Sequence, residues 1–185
     1  MKIGLYNLWL LFIPAYAVIW IVMIYVNRKR GKPIEDPKLM QNNKNEQLIF
    51  GFIPHLLLIA ISIVVPINPG SLFYFGLLFL IIGFLIDIIS ILTFTNEETG
   101  LNTKGIYSFS RNPMYIGGFL MIAGLNITGF SFSSASIIFF VVSVIWIACT
   151  HRIVLNEEKF LLHKYGDAYS AYKQKTLRYF GICRQ

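Results

Sequence analysis

The apolar positions of this chain fall into long uncharged runs separated by short polar segments. Leu5 to Val26 carries no charge and ends at Asn27-Arg28-Lys29-Arg30. A membrane-spanning helix needs about 20 such residues, at 1.5 Å rise across a hydrocarbon core of about 30 Å. A signal peptide has a shorter apolar stretch, roughly 7–15 residues, and a small-residue cleavage site. This run is longer and closes on a basic cluster, so we read it as a retained span. Leu48 to Ile67 forms a second span, interrupted by Pro54 and His55. Asn68-Pro69-Gly70 supplies a tight turn. Ser71 to about Thr95 is a third span, with Asp87 inside it. Pro113 to about Ile127 is a short, Gly-rich fourth, and Ser131 to Thr150 a fifth. The turn at 126–129 makes the last two a helical hairpin. The expected fold is all-α: a polytopic membrane protein of about five transmembrane helices, closed by a C-terminal amphipathic interfacial helix. We read residues 1–185 as one membrane domain. Residues 1–95 hold three spans, and 96–182 form the half that carries the chemistry.

Composition agrees. Hydrophobic residues make up 56% of the 185 and charged residues only 14%, against roughly 45–50% and about 25% in soluble domains. Too few charges remain to cover a water-facing surface, which excludes a soluble enzyme, a disulfide-rich secreted module and a disordered tail.

The net charge of +7 would by itself suggest nucleic acid, but its placement argues otherwise. Arg28, Lys29, Arg30, Lys32, Lys38 and Lys44 lie between spans one and two, and Lys104 and Arg111 between three and four. Arg152, Lys159, Lys164, Lys173, Lys175, Arg178 and Arg184 follow span five, and the turns at 68–70 and 126–129 hold no charge. Only Lys2 falls on the other side. The positive-inside rule makes the basic side cytoplasmic, with the N-terminus outside and the C-terminus inside. The basicity is thus a topology signal that also suits anionic lipid, with no nucleic-acid partner. Cys149 and Cys183 fall on the reducing side and are expected as free thiols. No metal is expected.

Two cytoplasmic segments are dense in special residues. In the first, Asn112-Pro113 is a helix start. Proline disfavours α geometry at the residue before it and suits the first helical position, and asparagine is a good N-cap. That start offers free N–H groups to an anion, with Arg111 beside it. Gly105, Gly117 and Gly118 permit close backbone approach, and Tyr107 and Tyr115 add aromatic faces with polar ends. An interfacial loop with a snorkelling arginine is the bland alternative. In the second segment, Leu161, Tyr165, Tyr169 and Tyr172 recur on one helical face. Gly166 caps one helix and Asp167 opens a shorter one lying along the interface. Glu157 and Glu158 are about 100° apart around a helix, so they cannot both face one pocket. A solvated acidic face is the alternative there.

Together the segments resemble the isoprenylcysteine carboxyl methyltransferase and phospholipid methyltransferase group. Its members show Gly-x-Tyr-x-x-x-Arg-His-Pro-x-Tyr-x-Gly, then Glu-Glu, Leu, an aromatic-Gly pair, Tyr-x-x-Tyr and a terminal Arg with an aromatic. Here these positions are Gly105, Tyr107, Arg111, Asn112, Pro113, Tyr115 and Gly117, then Glu157-Glu158, Leu161, Tyr165-Gly166, Tyr169, Tyr172 and Arg178. The resemblance covers about residues 75–182. Asn112 replaces the commoner His and cannot titrate near neutral pH. Leu177 stands where Pro is frequent.

The resemblance implies S-adenosylmethionine as methyl donor and S-adenosylhomocysteine as product. Arg111, Glu157 and Glu158 are then the catalytic candidates. Gly105, Tyr107, Arg111, Asn112, Pro113, Tyr115, Gly117, Glu157, Glu158 and Tyr169 are the cofactor candidates. The donor's carboxylate suits Arg111 and the helix start, its amine and ribose a glutamate, and its sulfonium and adenine the tyrosines. A carboxylate acceptor needs no base, whereas an amine must lose a proton. The missing His at 112 thus favours a lipid or prenylated carboxylate, of isoprenylcysteine type. Phospholipid amine methylation is the alternative. A sterol-type NADPH reductase and a non-catalytic scaffold are further readings, and the former would call for more clustered basic residues. We expect a pocket capped by 96–112 and 151–178, open sideways to the bilayer. Arg178 or Arg152 would hold an anionic acceptor. Asp87 and His55 lie about 10–12 Å deep and are expected to pair or to line lipid access.

Overall fold

The computed structural model describes residues 6–31, 44–94 and 101–180. Parts of the predicted loops, at 32–43 and 95–100, and the tail with Cys183 lie outside the described residues. Helix α1 is Trp9–Arg30. Helix α2 joins an α-turn Lys44–Glu46, a π-helical stretch Gln47–Phe52 and an α-helix Ile53–Ser62. Helix α3 is Ser71–Thr93, and a 3₁₀ turn Gly105–Ser108 precedes α4, Pro113–Thr128. Helix α5 is Ser134–Tyr165 and α6 is Asp167–Lys175. This is an all-α membrane protein. Helices α1, α3 and α5 are long and apolar enough to cross a bilayer, whereas Gln47–Ser62 and Pro113–Thr128 are shorter apolar helices. Sixteen residues rise only about 24 Å, less than the hydrocarbon thickness.

Boundaries shift from expectation for local reasons. Helix α1 runs through the basic cluster to Arg30 and stops at Gly31, whose φ of 69° is left-handed and whose N–H reaches the Arg28 carbonyl. Helix α2 stops at Ser62, short of Ile67. Pro54 has no N–H to continue the α ladder, and the turns before it widen to i→i+5 bonding, as from the Ile53 N–H to the Leu48 carbonyl. Ser133 caps α5, its side chain accepting from the Ser136 N–H. At 1.5 Å per residue, α5 is about 48 Å long, so crossing the membrane uses roughly its first 20 residues and the rest projects beyond. Gly166 ends it, again with positive φ, and Asp167 opens α6.

The tightest pairing is α3 against α4, set by two glycine pairs. A Cβ at Gly76 would come 2.7 Å from the Gly124 carbonyl oxygen, and one at Gly83 2.6 Å from that of Gly117. Small residues let membrane helices approach backbone to backbone. Ile19 and Val26 of α1 pack with Ile91 and Met121, while Phe12, Leu58, Phe139 and Trp146 gather α1, α2 and α5 into one core.

The molecule has two chemically distinct ends. At one, the Leu8 N–H donates to the Val65 carbonyl at 2.9 Å, and the Asn68 N–H to the Thr128 carbonyl at 2.9 Å. Segments 6–8, 63–70 and 129–133 meet there and contain no charged residue. The basic end of α1, the 101–112 loop, the projecting part of α5 and α6 form the opposite end.

Candidate functional site

The site is assembled where the 101–112 loop, the projecting part of α5 and the tail after α6 meet. At its centre is Glu158, buried on α5. Its Oε1 accepts from Arg111 Nε at 3.2 Å and lies 3.0 Å from Arg111 Nη2. Its Oε2 accepts from Arg178 Nε at 3.1 Å and Nη2 at 2.9 Å. Asn112 Nδ2 donates to Oε1 at 3.2 Å and also to the Arg178 carbonyl at 3.2 Å. The Arg111 N–H donates to the Leu177 carbonyl at 2.9 Å, and Arg111 Nη1 to the Lys173 carbonyl at 3.1 Å. Arg111 and Glu158 side chains are only 6% and 7% exposed, so this is a buried ion cluster in which every charge is hydrogen-bonded. Burial pushes the Glu158 carboxyl up. Hydrogen bonding to Arg178, with the charges of Arg111 and Arg178, outweighs that and holds it below the usual carboxylate range. The same hydrogen bond raises Arg178.

Glu157 points elsewhere, as the helical spacing requires. Its Oε1 accepts from the Tyr115 hydroxyl at 2.6 Å. The aromatic stripe folds inward: Tyr169, Tyr172 and Leu101 form a small core, with Leu161 and Tyr165 against it. The Tyr172 hydroxyl donates to the Tyr107 carbonyl at 2.6 Å, and the Tyr107 hydroxyl to the Ser90 carbonyl of α3 at 3.4 Å. The expected interfacial stripe thus docks α6 onto the loop. The Tyr169 hydroxyl is buried with no hydrogen-bond partner among the described residues. Burial, with the nearby Glu158 charge, pushes it up to about 12. Gly105 has φ 60°, and Gly117 lies against Gly83 and Asp87.

Some expectations need correction. Asn112 precedes α4 but its side chain makes no capping hydrogen bond; its Nδ2 donates instead to Glu158 and the Arg178 carbonyl, which orients the amide toward the tail. Asp87 and His55 are not joined. His55 Nδ1 faces the Tyr16 hydroxyl at 3.5 Å, with its ring among Phe12, Tyr16 and Trp146, whereas Asp87 sits on the α3 face that meets α4. Arg152 is directed away from Glu158, roughly 240° around α5. It pairs with Glu46 at 3.3 Å and stacks over Phe50, and Asn156 also donates to Glu46. Cys149 is a free thiol.

One feature went unnoticed in the sequence. His151 Nδ1 lies 2.8 Å from the Tyr179 hydroxyl. The signal was present, since His151 precedes Glu158 by seven residues and so shares its helical face.

Against known proteins, a family model described as phospholipid methyltransferase matches residues 71–168, from the start of α3 into α6. A protein-S-isoprenylcysteine O-methyltransferase from Schizosaccharomyces pombe is 34% identical over 81 residues, covering 44% of this chain and 33% of that protein. The chain therefore matches about a third of that relative's length. No solved structure matches the chain.

Proposed function

The chain belongs to the phospholipid methyltransferase family, and from that premise we propose that it methylates the carboxylate of a lipid-like acceptor of isoprenylcysteine type. Membership makes it a membrane methyltransferase and implies S-adenosylmethionine, which supplies an activated methyl group when bound. The residues fit that molecule. The orphaned buried hydroxyl of Tyr169 is a polar group awaiting a partner. Glu157, oriented by Tyr115, is an acceptor for an amine or ribose hydroxyls. Arg111, Asn112 and Pro113, with Gly105, form the wall we assign to the carboxylate end, while Gly117 is taken up by the contact with Gly83 of α3.

The observation that carries the acceptor preference is the charge of the cluster. Arg111 is buried against Glu158, whereas Arg178, its side chain 33% exposed, is a cation at the rim of the cluster, and it favours an anionic head over an ammonium. The chain's own residues then supply positioning and fixed charge. Glu158 acts through Arg111 and Arg178. The Schizosaccharomyces pombe relative, a protein-S-isoprenylcysteine O-methyltransferase, supports the same acceptor class. We further assign the charged end to the cytoplasmic side, because the described segments at the other end carry no charge, and residues 96–182 to the catalytic half.

Purified protein in detergent should bind S-adenosylhomocysteine calorimetrically and transfer labelled methyl to N-acetyl-S-farnesylcysteine. Absence of any binding would remove the proposal. Binding with transfer only to phosphatidylethanolamine would replace the carboxylate reading with the amine one.

A further inference from the structure

Seventeen residues separate Ser134, the start of α5, from His151, a rise of about 26 Å. His151 therefore lies near the depth at which hydrocarbon gives way to headgroups, two turns below Glu158 and on its face. The Tyr179 hydroxyl meets His151 Nδ1 at 2.8 Å. Tyr179 directly follows Arg178, so the clasp on Glu158 that seats the tail also seats this hydroxyl. The Tyr179 ring is edge-on to Phe119 at 5.6 Å, and Phe119 is edge-on to Trp146 at 5.8 Å. An aromatic path thus descends from the pair into the spans. His151 Nε2 hydrogen-bonds no described residue.

Burial pushes the Tyr179 hydroxyl up to about 12 despite the charge of Arg178, so it holds a proton that it can give to Nδ1. In the tautomer where it does so, the ring proton resides on Nε2, a donor directed away from Tyr179. Methylating a carboxylate forms a C–O bond and breaks the donor's C–S bond, whose electron pair stays on sulfur. No proton moves, so such an acceptor needs orientation rather than a base.

We propose that His151, held by Tyr179, anchors the acceptor: Nε2–H hydrogen-bonds its carboxylate while its apolar chain runs beside Phe119 and Trp146. This rests on the carboxylate reading above, and it adds a recognition residue that the cofactor constellation does not contain. His151 would set acceptor affinity and leave cofactor affinity alone.

The full chain in detergent, assayed with N-acetyl-S-farnesylcysteine, tests this. His151→Ala should raise the acceptor KM about tenfold or more, with S-adenosylhomocysteine affinity within about twofold of wild type. His151→Gln, which keeps an N–H near the Nε2 position, should recover most of the loss, and Tyr179→Phe should fall between. An unchanged acceptor KM in His151→Ala, or an equal loss of cofactor affinity, overturns the anchor. Wild-type protein that binds S-adenosylhomocysteine but methylates phosphatidylethanolamine and no farnesylcysteine overturns the acceptor reading, and the anchor with it. The two failures are distinguishable, since one appears in wild type and the other only in the variants.

Discussion

Glu158→Ala separates the tail's attachment from the rest of the fold. The substitution removes the only carboxylate shared by Arg111 and Arg178 among the described residues and leaves Arg111, 6% exposed, without a counter-ion. Breaking a buried ion pair from one side costs about 3–5 kcal/mol. The Arg152–Glu46 pair provides the internal comparison, since its side chains are 59% and 35% exposed and such pairs contribute at most ~1 kcal/mol. The cost should fall on local opening of residues 166–180, because α1 to α4 pack through apolar and glycine contacts that the change does not touch. At 1.4 kcal/mol per tenfold, the open tail becomes roughly 10²–10³-fold more populated. Trypsin under native conditions reads this directly, since Lys173 and Lys175 are exposed but stay in helical backbone until the tail opens. Cleavage there should accelerate by about that factor in Glu158→Ala and by no more than about fivefold in Glu46→Ala. Equal acceleration in the two variants would refute the claim that the buried cluster holds the tail.

The same assay has a pH signature. Glu158 is depressed in the folded protein, so its contribution is complete above the unfolded carboxylate value and is lost as pH falls through the lower folded one; tail protection should hold from neutral pH down to about 4–5 and fail below. Arg111→Ala should weaken S-adenosylhomocysteine binding strongly by calorimetry, and Lys175→Ala should leave it unchanged; equal effects would remove Arg111 from the site. Gly83→Ala, whose Cβ would sit 2.6 Å from the Gly117 oxygen, should destabilise by about 1–3 kcal/mol, and Gly118→Ala, 3.3 Å from a Trp146 ring atom, by less. Thermal unfolding in detergent ranks the two, and a reversed order would contradict the α3–α4 packing. Asn112→His should loosen the tail about tenfold by trypsin cleavage, well short of Glu158→Ala.

The three long spans were legible because a bilayer imposes one requirement on every crossing segment, internal hydrogen bonding over a fixed apolar length, whereas the other two of the five expected are shorter apolar helices. The projecting part of α5 and the divergence of Glu157 from Glu158 followed from helical period, and the stop at Gly166 from glycine's ease with positive φ. Pairing between helices was harder to read. Gly76 and Gly83 are spaced by seven, as are Gly117 and Gly124, and antiparallel contact brings the first of one pair to the second of the other. That pattern marks two matching faces, yet it acquires meaning only once α3 and α4 are known to be partners. Asp87 and His55 illustrate the converse. Equal depth suggested a pair, but depth fixes one coordinate only: the His55 ring turns among Phe12, Tyr16 and Trp146, and no hydrogen bond joins it to Asp87, whose backbone lies against Gly117 of α4.

Asn112 shows how a departure from a family pattern can be accounted for by its surroundings. Its Nδ2 carries two protons and uses them on two acceptors, Glu158 Oε1 and the Arg178 carbonyl. An imidazole nitrogen carries at most one proton, so histidine could not serve both from the same atom. The other departure, Leu177, lies on the same seam, its carbonyl receiving the Arg111 N–H at 2.9 Å. Both unusual residues thus sit where the loop is stitched to the tail, beside the carboxylate that holds two arginines. Replacing a titratable ring by an amide there makes the seam independent of pH near neutrality. It also leaves His151, on the opposite side of Tyr179 from the cluster, as the histidine placed to meet an acceptor arriving from the membrane.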